Sequence, residues 1–124
     1  MAQVNLSAGE WRVMEELWRN PATLMELVRA LGESAGWAKS TVSTMVRRME
    51  AKGLIRAEQE GKAKVFFPQV AREEAAAAET ESLLTRVYHG SVGLMVSTLL
   101  QTRQISPAEL EELQAILEGK EGRT

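Results

Sequence analysis

At Gly53 the apolar residues of this 124-residue chain change period, from recurring every three or four positions to short β-like runs. One element cannot serve both periods, so a helix must end there and strands must begin. Upstream, Ser7-Ala8-Gly9-Glu10 has the spacing of a capping box. Trp11, Met14, Leu17 and Trp18 follow at helical intervals until Asn20-Pro21 ends the run. Thr23-Leu24-Met25-Glu26 repeats the box, with Leu24, Leu27, Val28 and Leu31 as its stripe and Gly32 as the predicted stop. A third helix is predicted from about Ala38 to Lys52, with Gly53 in the left-handed position that closes a helix. Its inward stripe is Val42, Met45, Val46 and Met49. Beyond Gly53, residues 54–58 and 64–67 read as two strands, with Gly61 suited to the turn between them and Pro68 closing the second.

Three helices followed by a hairpin is the order of a winged helix-turn-helix, so the expected fold class is mainly α, with a β-hairpin wing on residues 1–68. Residues 69–124 are predicted to be helical again. Arg72 to about Tyr88 is rich in Ala and Glu, and His89-Gly90 breaks it. Ser91 is placed to cap a helix running to about Thr102, while Ser106, Pro107 and Glu109 form a strong start for another that stops at Gly119. The last four residues read as a frayed end. The helix from Val92 to Leu100 is apolar over most of its circumference, and about fifty residues cannot supply the volume to bury it. A second copy bringing the same helices would, giving a two-fold dimer. The expected contacts are Leu84, Tyr88, Val92, Met95, Val96, Leu99, Leu110, Leu113 and Leu117. The other solution is that these helices fold back on the first domain.

The net charge of −2 averages two unlike halves. Residues 36–64 hold seven basic side chains against Glu50, Glu58 and Glu60. That local excess suits phosphate, although a solvated basic surface has the same composition. With the core stripe of the third helix turned inward, Ser40, Thr44 and Arg47 project from the opposite side, flanked by Thr41, Ser43 and Arg48. Ser and Thr are mediocre helix formers, but short hydroxyls let a helix approach DNA closely and can touch phosphate or base edges. Arg47 has the reach for a bidentate contact with guanine. Lys39 and Arg48, with Lys62 and Lys64 bracketing the wing tip, are placed for phosphates. The expected partner is therefore double-stranded DNA.

Other chemistries lack their residues. All 17 acidic residues are Glu, there is no Cys, and His89 is the only histidine. A disulfide framework, a thiolate or multi-histidine metal site and a Ser-His-Asp triad cannot be assembled within such a chain. No cofactor, metal or catalytic residue is expected. No apolar run approaches the ~20 residues of a membrane span and no signal peptide opens the chain, so a soluble cytoplasmic protein is expected. The rival function is a winged-helix module that binds protein instead of DNA.

These segments together resemble the penicillinase-repressor family, often called BlaI/MecI, which has a copper-responsive branch. The resemblance rests on residues 6–14 (LSAGEWRVM) with Leu17-Trp18, on residues 40–54 (STVSTMVRRMEAKGL) and on Val65-Phe66-Phe67-Pro68. It continues through Gly90-Ser91-Val92, Ile105-Ser106 and residues 109–113. It implies a homodimeric repressor whose winged helices bind a two-fold symmetric operator and whose C-terminal helices dimerise. Two departures qualify it. Copper-responsive members carry paired cysteines, so direct copper sensing is not expected of this chain. In β-lactam-responsive members a sensor protease pathway cuts an Asn-Phe bond in the dimerisation region. The corresponding pair here is Thr98 and Leu99, which changes the residues at the cleavage position.

Overall fold

The computed structural model describes residues 5–119, and the expected frayed end lies outside the described residues. Reciprocal caps open the first two helices. Ser7 Oγ accepts the Glu10 amide at 3.1 Å, and the Glu10 carboxylate accepts the Ser7 amide at 2.9 Å, starting α1 (Ala8–Arg19). Thr23 and Glu26 make the same exchange at 3.2 and 2.8 Å ahead of α2 (Leu24–Ala35). The predicted stop at Gly32 is wrong: α2 continues through it. Gly36, at φ 70°, is the residue that turns left-handed and donates its amide to the Gly32 carbonyl at 3.1 Å. A third helix, α3 (Lys39–Lys52), ends as expected at Gly53, φ 82°. The Gly53 amide reaches Glu50 O at 3.1 Å and the Leu54 amide reaches Met49 O at 3.0 Å, the paired bonds of a Schellman motif.

A short strand absent from the sequence prediction, β1 (Ala22–Thr23), joins the hairpin of β2 (Ile55–Glu60) and β3 (Ala63–Pro68). The antiparallel order is β1-β3-β2, so the wing is anchored as a three-stranded sheet. Ala22 pairs with Phe66, and Thr23 with Val65. Glu60 pairs with Ala63, which leaves Gly61 (φ 64°) and Lys62 as a two-residue turn. Positive φ at the first turn position is what glycine supplies without steric cost.

The core lies under α3. Val42, Val46 and Met49 pack with Val13, Met14 and Leu17 of α1, Leu27 and Leu31 of α2, and Ile55 and Phe66 of the sheet, all buried. Packing continues past Pro68. The Trp18 indole N–H donates to Val70 O at 2.8 Å and sets its ring edge-on to Trp11 at 5.6 Å. A fourth helix, α4 (Arg72–Tyr88), begins there. Its Ala75 is buried, and the Arg72 guanidinium makes two bonds to Glu15, at 3.2 and 3.0 Å. The first compact unit accordingly extends to Glu81.

The second unit begins at Ser82, within α4. His89 (φ 52°) and Gly90 (φ 83°) reverse the chain. Ser91 then caps α5 (Val92–Thr102), and Ser106 caps α6 (Pro107–Leu117), at 3.0 and 3.1 Å. No residue of α5 or α6 is buried.

Candidate nucleic-acid interface

Turning Val42, Val46 and Met49 into the core obliges α3 to present its hydroxyl and guanidinium residues outward. Lys39, Ser40, Thr41, Arg47 and Arg48 are exposed, while Ser43 and Thr44 are half-buried. Ser40, Thr41, Thr44 and Arg48 come together around a shallow concavity of about 270 Å³. Its remaining wall is Met45, half-buried and packed against the core as its place in the apolar stripe implies, with its other side open to the concavity. Arg47 and Ser43 do not line the concavity. Arg47 stands exposed on the adjoining part of the helix.

Four helices start with a Ser or Thr whose oxygen accepts a backbone amide, but α3 does not. Its N-cap is Ala38, with no side-chain hydrogen bond. The leading N–H groups of a helix carry partial positive charge, and those of α3 receive no bond from a capping side chain at Ala38.

The basic residues divide into two groups. Lys52 reaches back to the buried Glu10 carboxylate at 2.5 Å, and Arg56 pairs with Glu58 at 2.8 Å while lying 4.6 Å over the Phe67 ring. Both are engaged within the fold. Lys39, Arg47, Arg48 and Lys62 have no ion-pair partner among the described residues. Lys62 occupies the wing turn. Lys64 lies on β3 with its ammonium 5.5 Å from the centre of the Phe66 ring. Sequence alone did not separate the two groups, because Glu10 and Lys52 are 42 residues apart with no local signal joining them.

The Glu10–Lys52 pair fixes the flank of α3 to the first turn of α1. Burial pushes the Glu10 carboxyl up. Hydrogen bonds from Lys52 and the Ser7 amide, the Lys52 charge and the Ser7 hydroxyl outweigh that, leaving its pKa below the usual glutamate range. Beside it Gly9 allows close approach: a Cβ there would lie 2.6 Å from the terminal methyl of Met45 and 3.4 Å from the Trp37 ring.

The residues expected to meet a second chain are placed differently. Leu84, Tyr88, Met95 and Val96 are half-buried within their own unit. Val92, Leu99, Leu110, Leu113 and Leu117 are exposed, at 57, 48, 44, 37 and 80 %. Val96, Leu99, Leu100, Ile105 and Leu113 line an apolar groove of about 200 Å³ rimmed by Arg103, Glu109 and Glu112. The Thr98–Leu99 bond lies inside α5, where Thr98 Oγ1 donates to Leu94 O at 2.9 Å. Among the described residues no cluster of ligating side chains could hold a metal, and no helix is long and apolar enough to cross a membrane.

A helical trio, an antiparallel wing and an outward α3 lined with hydroxyls and unpaired cations define a winged helix-turn-helix protein. The chain belongs to the penicillinase repressor family, matching it over residues 6–119. It is 29% identical over 119 residues to the penicillinase repressor of Bacillus licheniformis, covering 95% of this chain and 93% of that protein. It is 24% identical over 116 residues to the methicillin resistance regulatory protein MecI of Mammaliicoccus sciuri, covering 93% and 94% respectively. The fold matches the solution structure of the monomeric form of Bacillus licheniformis BlaI in complex with the blaP half-operator. That match has a TM-score of 0.54 at 24% identity, over 59% of this chain and 90% of the chain in that structure.

Proposed function

We propose that the chain is a homodimeric transcriptional repressor that binds a two-fold symmetric operator in duplex DNA. The observation that carries this reading is the surface of α3. Hydroxyls and unpaired cations occupy the face opposite the core, and the wing adds Lys62 and Lys64. In this reading Ser40, Thr41, Ser43 and Thr44 approach base edges and phosphates, and Arg47 reads a guanine. Lys39, Arg48, Lys62 and Lys64 neutralise backbone charge. The half-operator held by BlaI, a relative in the same family, supports the assignment.

Residues 1–68 would form the DNA-binding domain, supported by the first turns of α4, and the remaining helices would dimerise. The exposed faces of α5 and α6 support that division, because no residue on either helix is buried in the single chain. A second copy would cover Val92, Leu99, Leu110, Leu113 and Leu117, with Leu84, Tyr88, Met95 and Val96 beneath them. Release would then act on the dimer, through a sensor protease pathway cutting at Thr98–Leu99. A protease needs extended backbone, so α5 must unwind locally first.

The test is selection of bound duplexes from a random library by the purified full chain, followed by titration at two salt concentrations. Enrichment of a two-fold symmetric sequence is expected. Affinity should fall ~10³–10⁵-fold between about 50 and 200 mM salt if six to ten phosphates are contacted. Failure to enrich any duplex would favour the protein-binding alternative.

A further inference from the structure

Met45 stands apart among the residues around the concavity on α3. Its neighbours Ser40, Thr41, Thr44 and Arg48 offer hydroxyls and a guanidinium, the groups that meet phosphates and base edges. Met45 offers only a thioether and a methyl, and it is half-buried. It is held from behind. The glycine at position 9 brings the first turn of α1 so close that an added Cβ would sit 2.6 Å from the Met45 terminal carbon, with the Trp37 ring beside the same point. The result is an apolar wall inside a polar rim that includes Arg48, a cation with no ion-pair partner among the described residues.

In a major groove the acceptor and donor atoms of the bases suit hydroxyls and arginine. The only apolar group displayed there by an unmodified base pair is the C5-methyl of thymine. A methyl pressed against serine and arginine alone would lose water and gain little. Pressed against Met45 and the Thr44 methyl, it buries apolar area on both sides. Resting on the repressor reading above, we propose that Met45 is a specificity-determining residue and that the concavity accepts the C5-methyl of one thymine in each half-operator.

The experiment replaces each thymine of the selected duplex, one at a time, with deoxyuridine, which differs only by the missing methyl. Affinity of the full-length protein is measured for every replacement. One position per half-site is expected to weaken binding by about fourfold, the effect of losing one buried methyl. In Met45→Gln, which keeps length and loses the apolar end, thymine and deoxyuridine should bind equally at that position. In Met45→Leu the preference should persist. Gly9→Ala provides an independent variant that leaves α3 unaltered: its new methyl forces the end of Met45 to move, and the preference at the same position should change. A selected duplex with no deoxyuridine-sensitive thymine, or a sensitivity that survives undiminished in Met45→Gln, overturns this inference alone. If no duplex is selected at all, the repressor reading falls and this inference falls with it.

Discussion

Burying a carboxylate is costly unless donors meet its oxygens, and Glu10, only 4 % exposed, has both oxygens met. Oε1 accepts the Ser7 amide at 2.9 Å and Oε2 accepts the Lys52 ammonium at 2.5 Å. The first bond caps α1, and the second holds the last turn of α3 to it. Half of this arrangement is legible in the sequence, since Ser7-x-x-Glu10 is a local pattern. The Lys52 half is not, because only the folded chain brings residue 52 beside residue 10. Glu10→Gln keeps a capping acceptor but loses the charge pair, and should cost about 1 kcal/mol near neutral pH, Lys52 being largely solvated. The folded pKa of Glu10 lies below its unfolded value. Its contribution is therefore complete above the unfolded pKa and is lost as pH falls through the folded one. Chemical denaturation along a series from about pH 7 into the acid range should show the wild-type advantage over Glu10→Gln in full at the neutral end and shrinking as pH falls below the unfolded glutamate pKa. A gap that stays constant across the series would mean that the pair contributes nothing specific to the charged state.

At the scale of the element, local signals were sufficient wherever a single capping residue stood at the edge of an apolar stripe. Ser7, Thr23, Gly53, Ser91 and Ser106 all mark boundaries where expected. They failed where two candidates competed. Gly32 and Gly36 both follow the stripe ending at Leu31, and the later one is where the chain turns left-handed, its cap closed by the Gly36 amide on Gly32 O at 3.1 Å and the Trp37 amide on Leu31 O at 3.2 Å. Two-residue β1 carries no period at all, and Thr23 doubles as the cap of α2. Met45 fits the core stripe by spacing, yet lies at its edge, where a helix wheel cannot separate wall from core. The face opposite the core was legible, and it yields a test of the groove-facing assignment. Arg47→Ala should cost ~1–3 kcal/mol on the selected operator and relax preference at one base pair per half-site. Lys62→Ala removes an exposed wing cation without an ion-pair partner among the described residues. It should weaken selected and random duplexes alike and reduce the salt slope by about one phosphate. Equal losses from both substitutions on both duplexes would mean that Arg47 faces the backbone and not a base. At the end of α3, a Cβ on Gly53 would meet no atom within 4 Å, so Gly53→Ala isolates backbone strain. A loss of about 1–2 kcal/mol in equilibrium unfolding is expected, with DNA contacts untouched.

For the whole molecule, the sequence displayed the problem of the C-terminal helices but not its solution. Val92–Leu100 is too apolar to remain in water, and the folded single chain leaves Val92 57 % and Leu117 80 % exposed. Spacing could not say where the first unit ends either. Pro68 closes the sheet, whereas the Trp18 bond to Val70, the Arg72–Glu15 pair and buried Ala75 all fall beyond it. A fragment ending at Glu81 retains these contacts and should remain folded. One ending at Pro68 loses all three, and should melt lower by the equivalent of about 1–3 kcal/mol. The longer fragment separates folding from dimerisation. Without α5 and α6 it should sediment as a monomer and bind an isolated half-site as the full chain does. On the complete operator its two copies must arrive independently, forfeiting an effective-concentration advantage that can reach ~10²–10⁴-fold. Proteolysis at Thr98–Leu99 would reach the same state by another route, because it divides α5 between residues expected to meet the partner. Sedimentation and operator titration of the 1–81 fragment beside the full chain make the comparison. A fragment that stays dimeric, or that holds the complete operator as tightly as the full chain, would remove the C-terminal helices from the mechanism of repression.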